Sequence, residues 1–194
     1  TYYYSNESSV INVTFDYNNA TLQVLEYNST VRRFGNNVSY FLLRVYDSDR
    51  GVYPNDTIVS LRITEDFENF TVSIENTTYI GNVSFYYDPS CNSLAGVQKW
   101  YAKIVDVCYQ PVETSIRNLN VIGQLNISIL EPRNNAILNR NISYNFSSFV
   151  ADECNNIINY ANVTWYFGNT RIGNAYNITY RIPNSYKLGL ETVK

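Results

Sequence analysis

The stretch Asn139–Ser148, NRNISYNFSS, carries two N-glycosylation acceptors, Asn141-Ile142-Ser143 and Asn145-Phe146-Ser147. Read as a strand, it points Asn141, Ser143, Asn145 and Ser147 to one side and Ile142, Tyr144 and Phe146 to the other. Such a segment is at once a half-buried strand and a double sugar acceptor. The same arrangement recurs along the chain. The middle residue of the acceptor is Val after Asn12, Asn37, Asn82 and Asn162, Ile after Asn126, Asn141 and Asn177, and Phe after Asn69 and Asn145. In a strand the Asn and the Ser or Thr face solvent together, while the apolar residue between them faces a core. The outer faces of the sheets would then double as glycan platforms, covering exposed strands against unwanted pairing.

The number of acceptors exceeds what composition supplies. The chain has 194 residues, of which 28 are Asn and 31 are Ser or Thr. Chance placement of these would give about four to five N-x-[ST] triplets. There are 14, at Asn6, Asn12, Asn19, Asn28, Asn37, Asn55, Asn69, Asn76, Asn82, Asn126, Asn141, Asn145, Asn162 and Asn177. A threefold excess points to an exported, N-glycosylated protein, with covalent glycans and no other cofactor expected.

Composition narrows the class further. With 19 Tyr and 9 Phe and neither His nor Met, the chain is rich in strand formers and poor in helical periodicity. All-β is the expected class. A net charge of −3 with one basic pair, Arg32-Arg33, offers no surface for phosphates, so a nucleic-acid partner is not expected and the pair reads as a solvated turn. No apolar run approaches the roughly 18 residues that span a bilayer. The chain opens on Thr, which a processed mature protein or a fragment would both explain. Three cysteines suit an oxidising compartment. Cys91 with Cys108 is the favoured pair, closing a short loop-and-strand segment and leaving Cys154 free or intermolecular.

Strand candidates follow one another at short intervals. After the polar, aromatic start TYYYSNESS comes SVINVTFDY, with Ile11, Val13, Phe15 and Tyr17 aligned on one face. Then come TLQVLEY (21–27), VSYFLLRVY (38–46), TIVSLRI (57–63), FTVSI (70–74), NVSFYY (82–87), WYAKIVDV (100–107) and TSIRNLNVI (114–122), separated by turn residues. This spacing predicts a β-sandwich over 21–122, preceded by an arm over 1–20. A second pattern occupies 123–194: LNISILEP, NISYNFSS, NVTWYFGNTRIG, YNITYRIP and YKLGLETVK. It resembles the immunoglobulin-like modules of prokaryotic, especially archaeal, surface proteins, through an opening strand ending in Pro132, a strand carrying Trp165, a turn at Pro183, and Tyr186, Leu188 and Gly189 beyond it. The resemblance implies a fold, not an activity, and departs from antibody domains in lacking their cysteine pair.

Taken in order, these five segments supply strands A, B, C, D or E, and F of an immunoglobulin sandwich, without G. An F strand lacking G leaves a raw edge beside uncovered core, a template for another chain. SVINVTFDY is a strand of the right character to fill it from a neighbouring copy by donor-strand complementation. Two other readings stand beside this. The chain could be cut from a longer surface protein that contains its own G, or SVINVTFDY could belong to the first domain or fold back on the second. With its glycosylation, Tyr/Asn-rich all-β composition and donor-like arm, the whole chain resembles subunits of archaeal thread-type surface filaments. That resemblance implies an extracellular homopolymer built head to tail, serving adhesion, biofilm or cell contact, with other cells or surface glycans as outside partners. A surface-layer or carbohydrate-binding adhesin fragment is the alternative.

Chemistry-bearing clusters are sparse. Without His, the usual acid–base residue is missing, and no enzymatic role is expected. Glu65-Asp66 with Glu68, and Asp152-Glu153, read as solvated loops rather than a glycosidase pair. Asp47-Ser48-Asp49 and Asp152-Glu153 offer hard oxygens for calcium but lack a recognised loop spacing, so no metal site is expected. Lys103, if it shares a core face with Tyr101, Val105 and Val107, is a candidate for an isopeptide bond to Asn or Asp. The competing reading is an edge strand whose Lys snorkels to water. Tyr2-Tyr3-Tyr4 and Tyr86-Tyr87 could stack on sugars, although such clusters more often anchor interfaces or cores.

Overall fold

The structure is a computed structural model that describes residues 16–35, 37–187 and 189–194. Every regular element in it is a strand. In chain order these are β1 (Ala20–Tyr27), β2 (Thr30–Arg32), β3 (Ser39–Asp47), β4 (Ile58–Ile63), β5 (Val72–Thr77), β6 (Asn82–Tyr87), β7 (Gly96–Ile104), β8 (Arg117–Ile122), β9 (Leu125–Glu131), β10 (Ser143–Asp152), β11 (Thr164–Phe167), β12 (Thr170–Asn174) and β13 (Asn177–Arg181). The all-β class is therefore as expected. Among the described residues no helix is long and apolar enough to cross a membrane.

The chain divides into two compact units. The first holds the chain up to Val31 and Val38–Val121; the second holds Ile122–Lys194 together with Arg32–Asn37. The short excursion between β2 and β3 thus belongs to the second unit, whereas the sequence suggested a single division after 122.

The first unit is a sandwich of a three-stranded sheet, β1-β3-β6, and a five-stranded sheet, β2-β8-β7-β4-β5. Alternation explains its core. On β3, Phe41, Leu43 and Val45 are fully buried, while Tyr40, Leu42, Arg44 and Tyr46 face outward. Leu61 and Ile63 of β4 and Trp100 and Ala102 of β7 close on them from the other sheet. Trp100 meets Phe41 edge-on at 4.8 Å and Tyr27 at 5.0 Å. Such aromatic contacts add about 0.5–1.5 kcal/mol each beyond area burial.

In β7 the buried face is Trp100, Ala102 and Ile104, and Lys103 lies beside Tyr101 on the other face, half-buried. The expected placement of Lys103 on a core face is thereby reversed. Its neighbours Val105 and Val107 lie beyond the end of the strand. The core-face placement that motivated an isopeptide bond is therefore not found. Nor is the strand an edge, because β7 pairs with both β4 and β8.

The second unit packs β13-β10-β9 against the β11-β12 hairpin. Phe146, Val150, Trp165, Phe167 and Ile182 form its core. Trp165, 1% exposed, donates its indole N–H to the Ala175 carbonyl at 2.8 Å, which satisfies its one polar atom. The stretch that opened the sequence reading behaves as expected over Tyr144–Ser147: Tyr144 and Phe146 turn inward, and Asn145 and Ser147 outward. Ile142 precedes the strand and is 48% exposed.

The cysteine pairing differs from expectation. Cys91 and Cys154 are the disulfide-bonded residues, and Cys108 is an exposed free thiol. The reason is strand length. Cys91 lies before β7 and Cys108 after it, so the nine residues of Gly96–Ile104 separate them. At about 3.3 Å per residue that is roughly 26 Å of extended chain, whereas a disulfide needs Cα atoms within about 7 Å.

Candidate functional site: an open strand slot in the second unit

β9 presents an uncovered inner face. Cross-strand partners share a face in an antiparallel pair, and Ile127 opposes Val150 while Ile129 opposes Ser148. Val150 is 3% exposed and Ser148 8%, yet Leu125, Ile127 and Ile129 are 57%, 59% and 40% exposed. β10 thus turns its inner face into core, and the strand beside it turns the same face to solvent. One edge of β9 is bonded to β10; among the described residues nothing pairs with the other.

The opposite wall is the C-terminal stub. Tyr166 and Lys194 exchange backbone bonds at 2.9 and 3.1 Å, and Gly168 N–H donates to the Thr192 carbonyl at 2.8 Å. Thr192–Lys194 thus lies antiparallel beside β11, with an isolated bridge between Phe167 and Val193. The YKLGLETVK segment, expected as strand F, forms no regular strand among the described residues. Upstream, Tyr186 holds the chain in place. Its hydroxyl donates to the Phe167 carbonyl at 2.9 Å, its ring meets Phe167 at 4.8 Å, and burial beside Glu191 raises its phenol pKa. Arg140 secures the 183–186 turn by donating to the Asn184 carbonyl at 3.1 Å. Leu188 lies outside the described residues.

Between these walls runs a groove of about 510 Å³, lined by Ile129, Leu138, Phe167, Ile182, Tyr186, Leu190 and Val193 among others. Leu190 is 94% exposed. Polar and charged side chains, among them Arg133, Asn134, Arg140, Lys187 and Glu191, share the lining, and the groove is flanked by the edge of β9 and by the C-terminal segment beside β11.

The candidate donor residues Ile11, Val13 and Phe15 lie outside the described residues; Tyr17 is 54% exposed. Of the acceptor asparagines, Asn6 and Asn12 also lie outside them. Asn19, Asn28, Asn37, Asn55, Asn69, Asn76, Asn126, Asn141, Asn145, Asn162 and Asn177 are exposed, and Asn82 is half-buried.

The two clusters set aside as loops in the sequence meet each other here. Arg33 is 8% exposed, and its guanidinium lies 2.6 Å from both the Asp152 and the Glu153 carboxylates. The solvated-turn reading of Arg32-Arg33 is corrected for Arg33, which is buried and doubly ion-paired. Burial by itself would raise the pKa of Asp152, but N–H donors of Asn156, the Arg33 guanidinium and the Cys154 N–H outweigh it and hold the carboxyl below its ordinary value. Glu153 is likewise lowered: Arg33 and the Gln124 N–H overcome its desolvation. The hydrogen bond to Glu153, foremost, raises Arg33. No such partner was visible in sequence, because Arg33 and Asp152 are separated by 119 residues.

The remaining acidic clusters are engaged as loop staples. Asp66 accepts from the side chain and backbone of Asn69 and from the Glu68 N–H, which draws its pKa to about 2. Glu65 accepts from Ser93 and Thr71. Buried Asp47 accepts the N–H groups of Asp49 and Arg50 and the Tyr109 hydroxyl, and Asp49 accepts from Asn19. These oxygens face N–H and O–H donors, and among the described residues no group of three potential ligands converges on a metal position.

The fold is that of an all-β chain of two sandwich units; among the described residues nothing pairs with the outer edge of β9. No known family profile matches the chain, and neither does any curated protein. A solved structure to which it is similar is that of the three N-terminal domains of the Highly Immunogenic Outer Capsid protein (Hoc) of bacteriophage RB49. The match has a TM-score of 0.31 and 16% identity, and it covers 90% of this chain but 53% of that one. The chain thus spans about half the length of the structure it matches, and a likeness at this level carries no functional argument.

Proposed function

We propose that the chain is a structural subunit of an extracellular, N-glycosylated filament, in which SVINVTFDY of one copy fills the open slot of the next. The carrying observation is the uncovered inner face of β9: Ile127 is 59% exposed while its cross-strand partner Val150 is 3% exposed. A strand entering the slot would cover that face, complete the sheet begun by Thr192–Lys194 and bury its own alternate side chains. Ile11, Val13, Phe15 and Tyr17 supply such a face, worth about 1.5–3 kcal/mol per fully buried side chain. Backbone ladder bonds add about 0.5–1.5 kcal/mol each. Ordering the donor residues costs about 1–2 kcal/mol apiece, so the net gain rests on completing the acceptor's core. Insertion of an arm into the body of a neighbour is a heterologous contact, which propagates unless it closes a ring. The exposed acceptor asparagines and the disulfide fit secretion and glycosylation.

The test is deletion of residues 1–17, followed by addition of a synthetic SVINVTFDY peptide. The truncated chain is expected to stay monomeric and to bind the peptide with a rise in melting temperature. Fibres formed by the truncated chain, or a slot that does not bind the peptide because the same polypeptide already fills it, would refute the donor assignment.

A further inference from the structure

On the outer face of β1-β3-β6, in the first unit, lies a small polar and aromatic pocket of about 230 Å³ lined by Thr21, Gln23, Arg44, Tyr46 and Tyr53. Its parts are held by the fold. Gln23, Arg44 and Asn82 form one row across the three strands, and Thr21 pairs with Tyr46 in the next. The turn after β3 returns through buried Asp47, which accepts two turn N–H groups, while Asp47 N–H donates to the Val52 carbonyl at 2.9 Å. Tyr53 is thereby brought beside Tyr46, with ring centroids 5.3 Å apart. Behind Tyr53, Gly81 sits at φ +73°, and a Cβ there would come within 2.8 Å of the Tyr53 Cβ. Only glycine allows that approach without strain.

The guanidinium is incompletely used. Arg44 donates from Nε to the Asn82 Oδ1 at 2.9 Å and lies over the Tyr53 ring at 5.4 Å. Its two terminal nitrogens have no hydrogen-bond partner among the described residues, and no carboxylate there forms an ion pair with it. Among the described residues the side chains of Gln23 and Thr21 and the hydroxyls of Tyr46 and Tyr53 also have no hydrogen-bond partner. A planar cation with a free fork, two aromatic walls and several neutral hydrogen-bonding groups fits one chemistry. A carboxylate takes the fork, an apolar ring face lies against the tyrosines, and hydroxyls meet the amide and the alcohols.

We propose that this pocket binds a sugar residue bearing a carboxylate, a hexuronate or its like. The volume suits one sugar ring, being smaller than the usual pocket for a drug-sized ligand. Such a residue has two sources. Asn82 heads the acceptor Asn82-Val83-Ser84, and with its Oδ1 held by Arg44 its Nδ2 is left to carry a glycan at the rim of the pocket. The other source is the glycan of another molecule. The proposal is independent of strand exchange.

Saturation-transfer-difference NMR on the full glycosylated chain, with glucuronic acid as probe and glucose as neutral control, tests it. Ser84→Ala removes the acceptor while leaving Asn82 and its bond to Arg44 in place. Saturation of glucuronic acid on the native chain and on S84A alike identifies a site open to other glycans; saturation on S84A alone identifies the chain's own glycan as occupant. In either case R44Q is expected to weaken binding roughly ten- to hundredfold, as loss of a charged hydrogen-bonding partner does. R44K, which keeps the charge without the fork, should fall between. Melting curves of both variants matching the native chain separate lost binding from lost folding. Equal response to glucose, no response on either chain, or R44Q binding as well as native would overturn the proposal.

Discussion

Ile127→Lys separates assembly from folding. In the isolated unit Ile127 is 59% exposed, so a lysine there already reaches water and leaves the folded state little changed. A donor strand running along the inner face of β9, as proposed, would cover the same position. At about 1.5–3 kcal/mol for full burial of an isoleucine side chain, covering the part still exposed is worth about 1–2 kcal/mol, and the variant forgoes it. Partial desolvation of the ammonium, even with its stem snorkelling to the rim, adds about 2–3 kcal/mol more. The sum, about 3–5 kcal/mol, corresponds to a hundred- to several-thousandfold rise in the concentration needed for polymerisation. The assay is pelleting across a concentration series with negative-stain electron microscopy, beside a thermal melt of the soluble fraction. Phe149→Lys, on the outer face of the neighbouring β10 and 40% exposed, introduces the same charge outside the slot and should assemble like the native chain. An I127K chain that polymerises at the native concentration, or an F149K chain impaired equally, refutes the reasoning that the inner face of β9 receives a strand.

Arg33→Ala strands two carboxylates against each other inside the second unit, and breaking a buried pair in this way costs about 3–5 kcal/mol, read as a lowered urea midpoint of that unit. Asp152 and Glu153 are held below their ordinary values of 3.8 and 4.5, so the folded state binds fewer protons there than the unfolded chain. The clasp is therefore at full strength above about pH 4.5 and is lost as pH falls through the depressed values; melts between pH 7 and pH 3 should show the loss in native protein and a shallower one in R33A. Under native, non-reducing conditions one thiol should label rapidly, and peptide mapping should place it at Cys108; label at Cys91 or Cys154 would contradict the pairing. Gly81→Ala forces a side chain into φ +73° and against Tyr53, and should cost about 1–2 kcal/mol of stability by thermal melt while displacing the Tyr53 ring.

Much of the succession of strands along the chain was legible because alternation is a local signal, but their order within the sheets was not. The limits of that signal appear at β7. The expected strand, WYAKIVDV, begins at Trp100, whereas β7 begins at Gly96, and Gln98 is polar where a core residue belongs. The structure buries Gln98 fully and satisfies it. Its carbonyl oxygen accepts from the Thr64 hydroxyl at 2.7 Å and the Phe67 N–H at 3.0 Å, and its amide donates to the Leu94 and Glu65 carbonyls at 2.7 and 3.2 Å. Val105 and Val107 lie beyond the end of β7, so their apolar character says nothing of the face that Lys103 shares with Tyr101. The Arg33 clasp was illegible for a different reason: Arg33 and Asp152 are separated by 119 residues, and neither residue type nor spacing announces that they meet.

The acceptor triplets supply an independent argument for the slot, through the one that departs from the rule. If the apolar middle residue of a triplet in a strand faces a core, Val83 on β6, Phe146 on β10 and Ile178 on β13 obey: the first two are 1% and 0% exposed, and Ile178 packs against the second unit's core. Val38 and Ile142 do not, but each immediately precedes its strand, where alternation has no hold. Ile127 lies in the middle of β9, in register with buried Val150, and is still exposed. Its register and its sequence pattern both direct it inward, as the proposed strand exchange requires. Glycosylation of Asn126 on the outer face would leave that inner face bare, since neighbouring residues point to opposite sides of a strand. The sugar would guard one face of β9 while the other stayed open to an incoming strand, the combination a strand-exchanging subunit requires.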